Sequence, residues 1–180
     1  MSKAGRVSFG VLKMRWITHQ IAAVGLLFSL KFSLGAVAAG FVGSILPDII
    51  DQKLAKTFGF SKRGQQRVFG RVHRGLSHWF GLYLLLILAC NYLLIADWIK
   101  EIILGFAIAA LSHVLLDMLT PKGVPILPLA KKPRLSLPIC STGSLGEYIF
   151  LMAICLIYVI YMRDECLHYL NLARKFLNQI

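Results

Sequence analysis

Apolar runs recur through this 180-residue chain, and about 20 such residues are what a helix needs to cross the hydrocarbon core of a bilayer. Lipid offers the backbone no hydrogen-bond partners, so a crossing segment must satisfy its own N–H and C=O groups, as a helix does. That constraint makes the expected fold class all-α. Residues 76–96 and 99–119 fit a span well, and 145–162 is slightly short but strongly apolar. Residues 17–30 and 33–46 are shorter runs separated by Lys31-Phe32, which predicts a helical hairpin of two short or tilted spans. The glycine and alanine run from Gly35 to Gly40, with Gly43 one turn on, suits close helix–helix packing in lipid. The expectation is one integral membrane domain over 1–180, a polytopic transmembrane helical bundle of about five spans.

Composition supports that class: 57% of residues are hydrophobic and the mean hydropathy is +0.69. The net charge of +12 does not by itself mean nucleic acid, because the basic residues fall between apolar runs and carry few aromatics among them. Anionic membrane lipids are the partners those loops suggest. With five spans and a cytoplasmic N-terminus, fifteen basic residues face the cytoplasm against five on the other side, which orients the chain by the positive-inside rule. No small-residue cleavage site follows the first apolar run, so a cleaved signal peptide is not expected. Cys90, Cys140, Cys155 and Cys166 have no C-x-x-C spacing and read as packing residues.

Ionisable residues at membrane depth are costly and by default mark a functional site. Four of the five histidines and three of the eight acidic residues gather in short motifs: His19, Asp48-x-x-Asp51, His73-x-x-x-x-His78 and His113-x-x-x-Asp117. Under the five-span topology all of them fall on the cytoplasmic side. His113 and Asp117 share a helix face one turn apart, a spacing that lets two side chains grip one ion. Imidazole and carboxylate are the usual donors for zinc and related metals. Pro47 tends to break a helix and so frees Asp48 and Asp51 to turn toward a pocket; their spacing alone does not rank them. His73 and His78, five apart, do not share a helical face, which puts His73 before a helix and His78 in its first turns, with Ser77 able to cap it. Arg74 suits an anionic group, either substrate or lipid headgroup. His19 is weak alone and gains weight from the shared side. Glu147, in Ser144-x-x-Glu147, reads first as a capping box. The three-proline segment 120–129 cannot continue a helix and is expected to wall one side of the site. His168 falls in a stretch reading as a short amphipathic helix and carries no signal.

The ordered string from His19 through Leu-Pro-Asp48-x-x-Asp51 and His73-Arg-Gly-x-Ser-His78 to Ser-His113-x-x-x-Asp117-x-x-Thr-Pro-x-Gly-Val resembles the YdjM-like family of bacterial inner-membrane proteins, over roughly residues 15–150. That resemblance implies a membrane-bound metal-dependent hydrolase. More distantly, the order is similar to the zinc-dependent phospholipase C and P1 nuclease group. Carried over residue by residue, it makes His19, Asp51 (or Asp48), His73, His113 and Asp117 metal ligands. Those enzymes use further histidines and a glutamate downstream; here His168 is the one histidine after Asp117, and Glu147 is the first glutamate after it.

The expected function is therefore a metal-dependent hydrolase of the bacterial inner membrane. One or two divalent ions, zinc first, would sit on His19, Asp51, His73, His113 and Asp117. Asp48 or His78 would serve as base or orienting group, and Arg74 would neutralise an anionic substrate. A lipid or small-molecule phosphoester at the cytoplasmic interface is the substrate class that location suggests. Two other classes use the same residues: an ion- or proton-coupled transporter, and a non-catalytic membrane protein with a structural metal.

Overall fold

The computed structural model describes residues 9–128, 132–141 and 144–163, with single positions at Leu167, Arg174 and Leu177; its side chains are described from Trp16 onward. Lys3, Arg6, Lys131, Cys166 and the expected amphipathic helix around His168 lie outside the described residues.

The described chain is mostly helical. Helix α1 (Phe9–Ser29) turns through Lys31 into α2 (Leu34–Gly43), whose N-terminus is capped by the Ser33 hydroxyl. A two-residue turn at Ser44-Ile45 then leads into α3 (Leu46–Phe58). Pro47 sits in the first turn of α3, where its missing N–H costs nothing, so the break falls just before it. Helix α4 (Lys62–Val72) folds back on α3. A 3₁₀ turn (Leu76–His78) precedes α5 (Phe80–Cys90), and α6 (Asp97–Met118) follows. Two-residue antiparallel strands, β1 (Val124–Pro125) and β2 (Arg134–Leu135), pair beyond α6, and α7 (Leu145–Tyr161) is the last helix with defined bounds.

Helix α6 is the axis of the fold, packing against α2, α5 and α1, while α7 leans on α1. The α2–α6 crossing is a backbone contact. A Cβ built on Gly105 would lie 2.6 Å from the Ala36 carbonyl oxygen, and one on Gly43 would lie 2.5 Å from that of Phe106. The core is made of small residues: Ala23, Ala36, Ala107, Ala109 and Ala110 are fully buried. The outside is the apolar part, with Leu34, Leu85, Leu88, Met152, Leu156 and Ile160 exposed. His78, His113 and Asp51 are among the largest fully buried side chains. An apolar exterior around a small-residue and polar interior suits a lipid surround, where close packing rather than hydrophobic exclusion joins helices.

Two helical stretches are long and apolar enough to cross a membrane, Leu34–Phe58 and Asp97–Met118. The stretches Trp16–Ser29, Phe80–Cys90 and Leu145–Tyr161 are shorter. The expected spans 99–119 and 145–162 coincide with α6 and α7 within two residues. The expected span 33–46 does not end where predicted, because after the turn the helix resumes and carries Asp48 and Asp51 inside α3. The region 76–96 differs more. Its first residues form the 3₁₀ turn, and α5 has only 11 residues, about 16 Å of helix. The capping box also differs: Ser144 makes no side-chain cap and donates instead to the Ser141 carbonyl, 2.5 Å away.

Because α2 and α6 touch through backbone, Gly105→Val should lower the melting temperature in detergent by about 3–10 °C. Gly70, with nothing within 4 Å of an added Cβ, should accept alanine without loss. Equal melting temperatures for Gly105→Val and the parent protein would rule out the close crossing.

Candidate functional site

The eight residues singled out by the sequence converge. His19 comes from α1, Asp48 and Asp51 from the first turns of α3, His73 caps the C-terminus of α4, His78 ends the 3₁₀ turn, and His113 and Asp117 lie one turn apart on α6. Arg74 reaches the cluster from an unusual backbone position, with φ of 57°. Left-handed backbone is strained for a non-glycine residue, and such strain persists where surrounding contacts over-determine it. Here they do. The Arg74 N–H donates to Asp51 Oδ2 at 3.0 Å, and its carbonyl accepts from Arg134 Nη2 at 3.0 Å.

The centre is the meeting of two imidazoles, with His78 Nε2 3.3 Å from His113 Nε2. Two carboxylate oxygens face the same point. Asp117 Oδ2 is 3.4 Å from His78 Nε2 and 3.9 Å from His113 Nε2, and Asp48 Oδ1 is 3.5 and 4.0 Å from the same two atoms.

Protonation can be argued from the far side of each ring. His113 Nδ1 lies 2.6 Å from the Ser44 carbonyl oxygen, which can only accept, so Nδ1 carries the proton. Ser77 Oγ donates to Asp51 Oδ1 at 2.5 Å and therefore accepts from His78 Nδ1 at 3.0 Å. In their neutral forms both rings then present a lone pair at Nε2. Four acceptor atoms thus point at one another. Such an arrangement requires a positive charge among them, either an additional proton or a cation.

The carboxylates are pinned in the same manner. Trp16 Nε1 donates to Asp48 Oδ2 at 3.1 Å, leaving Oδ1 turned inward. Arg74 Nη2 donates to Asp117 Oδ1 at 2.6 Å, leaving Oδ2 turned inward. Asp51 has no such inward atom. Its oxygens meet Ser77, the Arg74 N–H, His73 Nδ1 at 3.2 Å and His78 Nδ1 at 3.4 Å.

His19 stacks on His113, ring centroids 3.8 Å apart, with its Nε2 4.0 Å from Asp117 Oδ1. Its buried Nδ1 has no hydrogen-bond partner among the described residues. His73 stacks on Phe69 and lies 3.9 Å from Asp48 Oδ1. Two adjoining donor groups result, His19–His113–Asp117 and Asp48–His73–His78, each with its ligand atoms mutually within 4.8 Å. Beside the first lies a cavity of about 30 Å³, lined by Thr18, His19, Asp117, Thr120, Cys140 and Glu147 among others, large enough for one water molecule. Glu147 accepts from Thr18 Oγ1 at 2.9 Å there.

The proline segment after α6 closes the other side. Arg74 Nη1 donates to Thr120 Oγ1 at 2.8 Å and to the Gly123 carbonyl at 3.3 Å, and Trp79 Nε1 donates to the Ile126 carbonyl at 3.0 Å. Neither Trp16 nor Ser44 stands out in the sequence, where Ser77 reads only as a cap. Ser44 acts through its backbone, which leaves no side-chain signal, and Ser77 bonds a carboxylate rather than a helix end.

These features define a helical membrane-type protein with a buried histidine–carboxylate centre. The chain belongs to the YdjM inner membrane protein family, whose model matches residues 14–173. It is 34% identical over 128 residues to Inner membrane protein YdjM of Escherichia coli (strain K12), and equally so to that of Shigella flexneri. Those matches cover 66% of this chain and 62% of each relative, so the chain spans less than two thirds of their length. It is 33% identical over 130 residues to Uncharacterized protein YvsG of Bacillus subtilis (strain 168), covering 69% of this chain and 78% of that one. No solved structure matches the chain significantly.

Removing one partner of a buried ion pair strands the other charge. Arg74→Met should therefore destabilise the protein by about 3 kcal/mol or more, read as thermal unfolding by tryptophan fluorescence in detergent. The exposed Arg63→Met should change it by less than about 0.5 kcal/mol. Equal effects of the two substitutions would show that the Arg74–Asp117 pair does not hold the centre.

Proposed function

We propose that this protein is a membrane-bound metal-dependent hydrolase whose substrate is a phosphoester of a lipid or lipid-linked headgroup. In this reading the chain crosses the inner membrane about five times with its N-terminus cytoplasmic, which brings the centre to the cytoplasmic headgroup layer. The observation that carries the reading is the surplus of donors. Two adjoining three-donor groups hold more ligand atoms than a closed four-ligand structural ion uses.

The residues present suit zinc. Donors about 2.0 Å from a tetrahedral ion lie about 3.3 Å from one another, close to the shortest separations among His78, His113, Asp48 and Asp117. The orphaned Nδ1 of His19 and the inward lone pairs of His78 and His113 supply neutral donors, and the carboxylates supply charge. One or two ions would be held by His19, His113 and Asp117 on one side and Asp48, His73 and His78 on the other. A divalent ion so held supplies Lewis acidity, polarising a phosphoryl oxygen and easing deprotonation of water.

The chain's own residues do the rest. Ser77, Asp51 and the Ser44 carbonyl fix the two imidazole tautomers, and Trp16 and Arg74 fix which oxygen each carboxylate turns inward. The geometry supports a different division of labour from the sequence reading. Asp51 orients the histidines while Asp48 and His78 join the donors. Arg74 is occupied by Asp117, so its positive charge acts on substrate through the centre rather than by a direct clamp. Glu147, beside the water-sized cavity, is placed to accept a proton.

A structural zinc is the second reading, favoured by the four donors that converge on one point. Elemental analysis of detergent-purified protein comes first. Near-stoichiometric zinc or manganese is expected in the parent protein and should be lost in His113→Ala/Asp117→Ala. Folded parent protein that stays metal-free after metal is added back would sink both readings and leave an additional proton holding the cluster together. Ser77→Ala should weaken metal affinity about 10–100-fold while leaving the donors in place. Metal-loaded protein that cleaves no phosphoester lipid or lipid-linked phosphoester would leave the structural zinc.

A further inference from the structure

We infer that the α3–α4 hairpin is an interfacial docking element that lies in the headgroup layer of an anionic phospholipid leaflet. The inference concerns residues outside the centre and does not depend on the metal chemistry. Helix α3 has three distinct faces. Pro47, Asp48, Asp51 and Ala55 are buried toward the centre. Ile50, Leu54 and Phe58, spaced by four, form an exposed apolar stripe along one flank. Lys53 and Lys56 are exposed on the opposite flank. The stripe runs into Phe60 at the hairpin turn, which is fully exposed.

Helix α4 is sorted just as sharply. Lys62, Arg63, Gln66, Arg67 and Gly70 are exposed within one arc, while Gln65, Val68, Phe69 and Val72 are partly buried on the other. Its inner side packs against α3; at the turn a Cβ on Gly59 would lie 2.5 Å from the Gln65 backbone, and at the far end Phe69 stacks on His73 of the centre. The hairpin is thereby tied to the centre, and its basic and apolar faces are left without protein cover among the described residues.

Charge selects the occupant. No acidic residue occurs between Asp51, which is buried, and Asp97, so the exposed bases have no internal counter-ions along that length. An amphipathic surface with an apolar stripe, an aromatic tip and a one-signed basic face is what the boundary of an anionic bilayer accepts. The stripe and Phe60 would enter the acyl boundary, and Lys53, Lys56, Lys62, Arg63 and Arg67 would meet phosphates. A nucleic acid would satisfy the basic face but leave the stripe and Phe60 in water.

The test uses the full chain in nanodiscs whose lipids carry brominated acyl chains, with Phe60→Trp as the probe and the parent protein's emission subtracted. In phosphatidylglycerol mixed with phosphatidylethanolamine, emission from the introduced indole should be strongly quenched. In phosphatidylcholine alone, or at high salt that screens the charges, most of that quenching should be lost. Lys62→Glu/Arg63→Glu/Arg67→Glu should lower partition of the hairpin onto the anionic leaflet about a hundredfold. The salt comparison decides the matter even if that triple variant does not fold. Probe emission that is unquenched, or quenched equally in all lipids, would overturn the inference. Unquenched emission together with tight DNA binding would reassign the basic face to nucleic acid.

Discussion

Burying a carboxylate is the demand on which this structure turns. Asp48, Asp51 and Asp117 are all less than a tenth exposed, and an unpaired buried charge is among the costliest things a fold can contain. The architecture around them is a set of answers to that cost. The left-handed turn at Arg74 delivers both a backbone N–H and a guanidinium, α1 delivers Trp16 and His19, and the break before Pro47 exposes the Ser44 carbonyl to His113. Only the inward-facing atoms of the centre are left needing a positive charge from elsewhere. Chemistry and stability are therefore set by the same contacts.

Helix packing serves this polar interior in an unusual way. With alanine and glycine at the crossings, α2 and α6 approach until backbone meets backbone, and the space saved is given to imidazoles and carboxylates. Bulky apolar residues are displaced to the surface, where lipid takes the place of a core. The Ser77 turn is anchored from α5 by Tyr83, whose hydroxyl donates to the Ser77 carbonyl at 2.8 Å. A short helix thus stiffens the segment that presents His78.

The helical class and the candidate residues that lie together were legible in the sequence for physical reasons. Apolar runs of span length have few alternatives, and charged residues are too costly in lipid to be incidental. α6 and α7 were readable because their apolar runs are uninterrupted. The Ser44–Ile45 break and the short α5 were less so: composition does not reveal where a hydrophobic run leaves the helix. Among the site residues, the i, i+4 relation of His113 and Asp117 was visible, while the relation of Asp51 to Ser77 was not. Long-range pairing leaves no periodicity. Roles were harder still, because whether a carboxylate faces inward or is held from behind depends on partners as distant as Trp16 and Asp48.

The order of these groups along the chain has a consequence for biosynthesis. Asp48 and Asp51 leave the ribosome well before His113 and Asp117, so for a time they have neither of those α6 partners. The centre can close only when α6 has been made and its last turn has come alongside α3. The cluster is therefore absent from any nascent chain that has not yet made the last turn of α6.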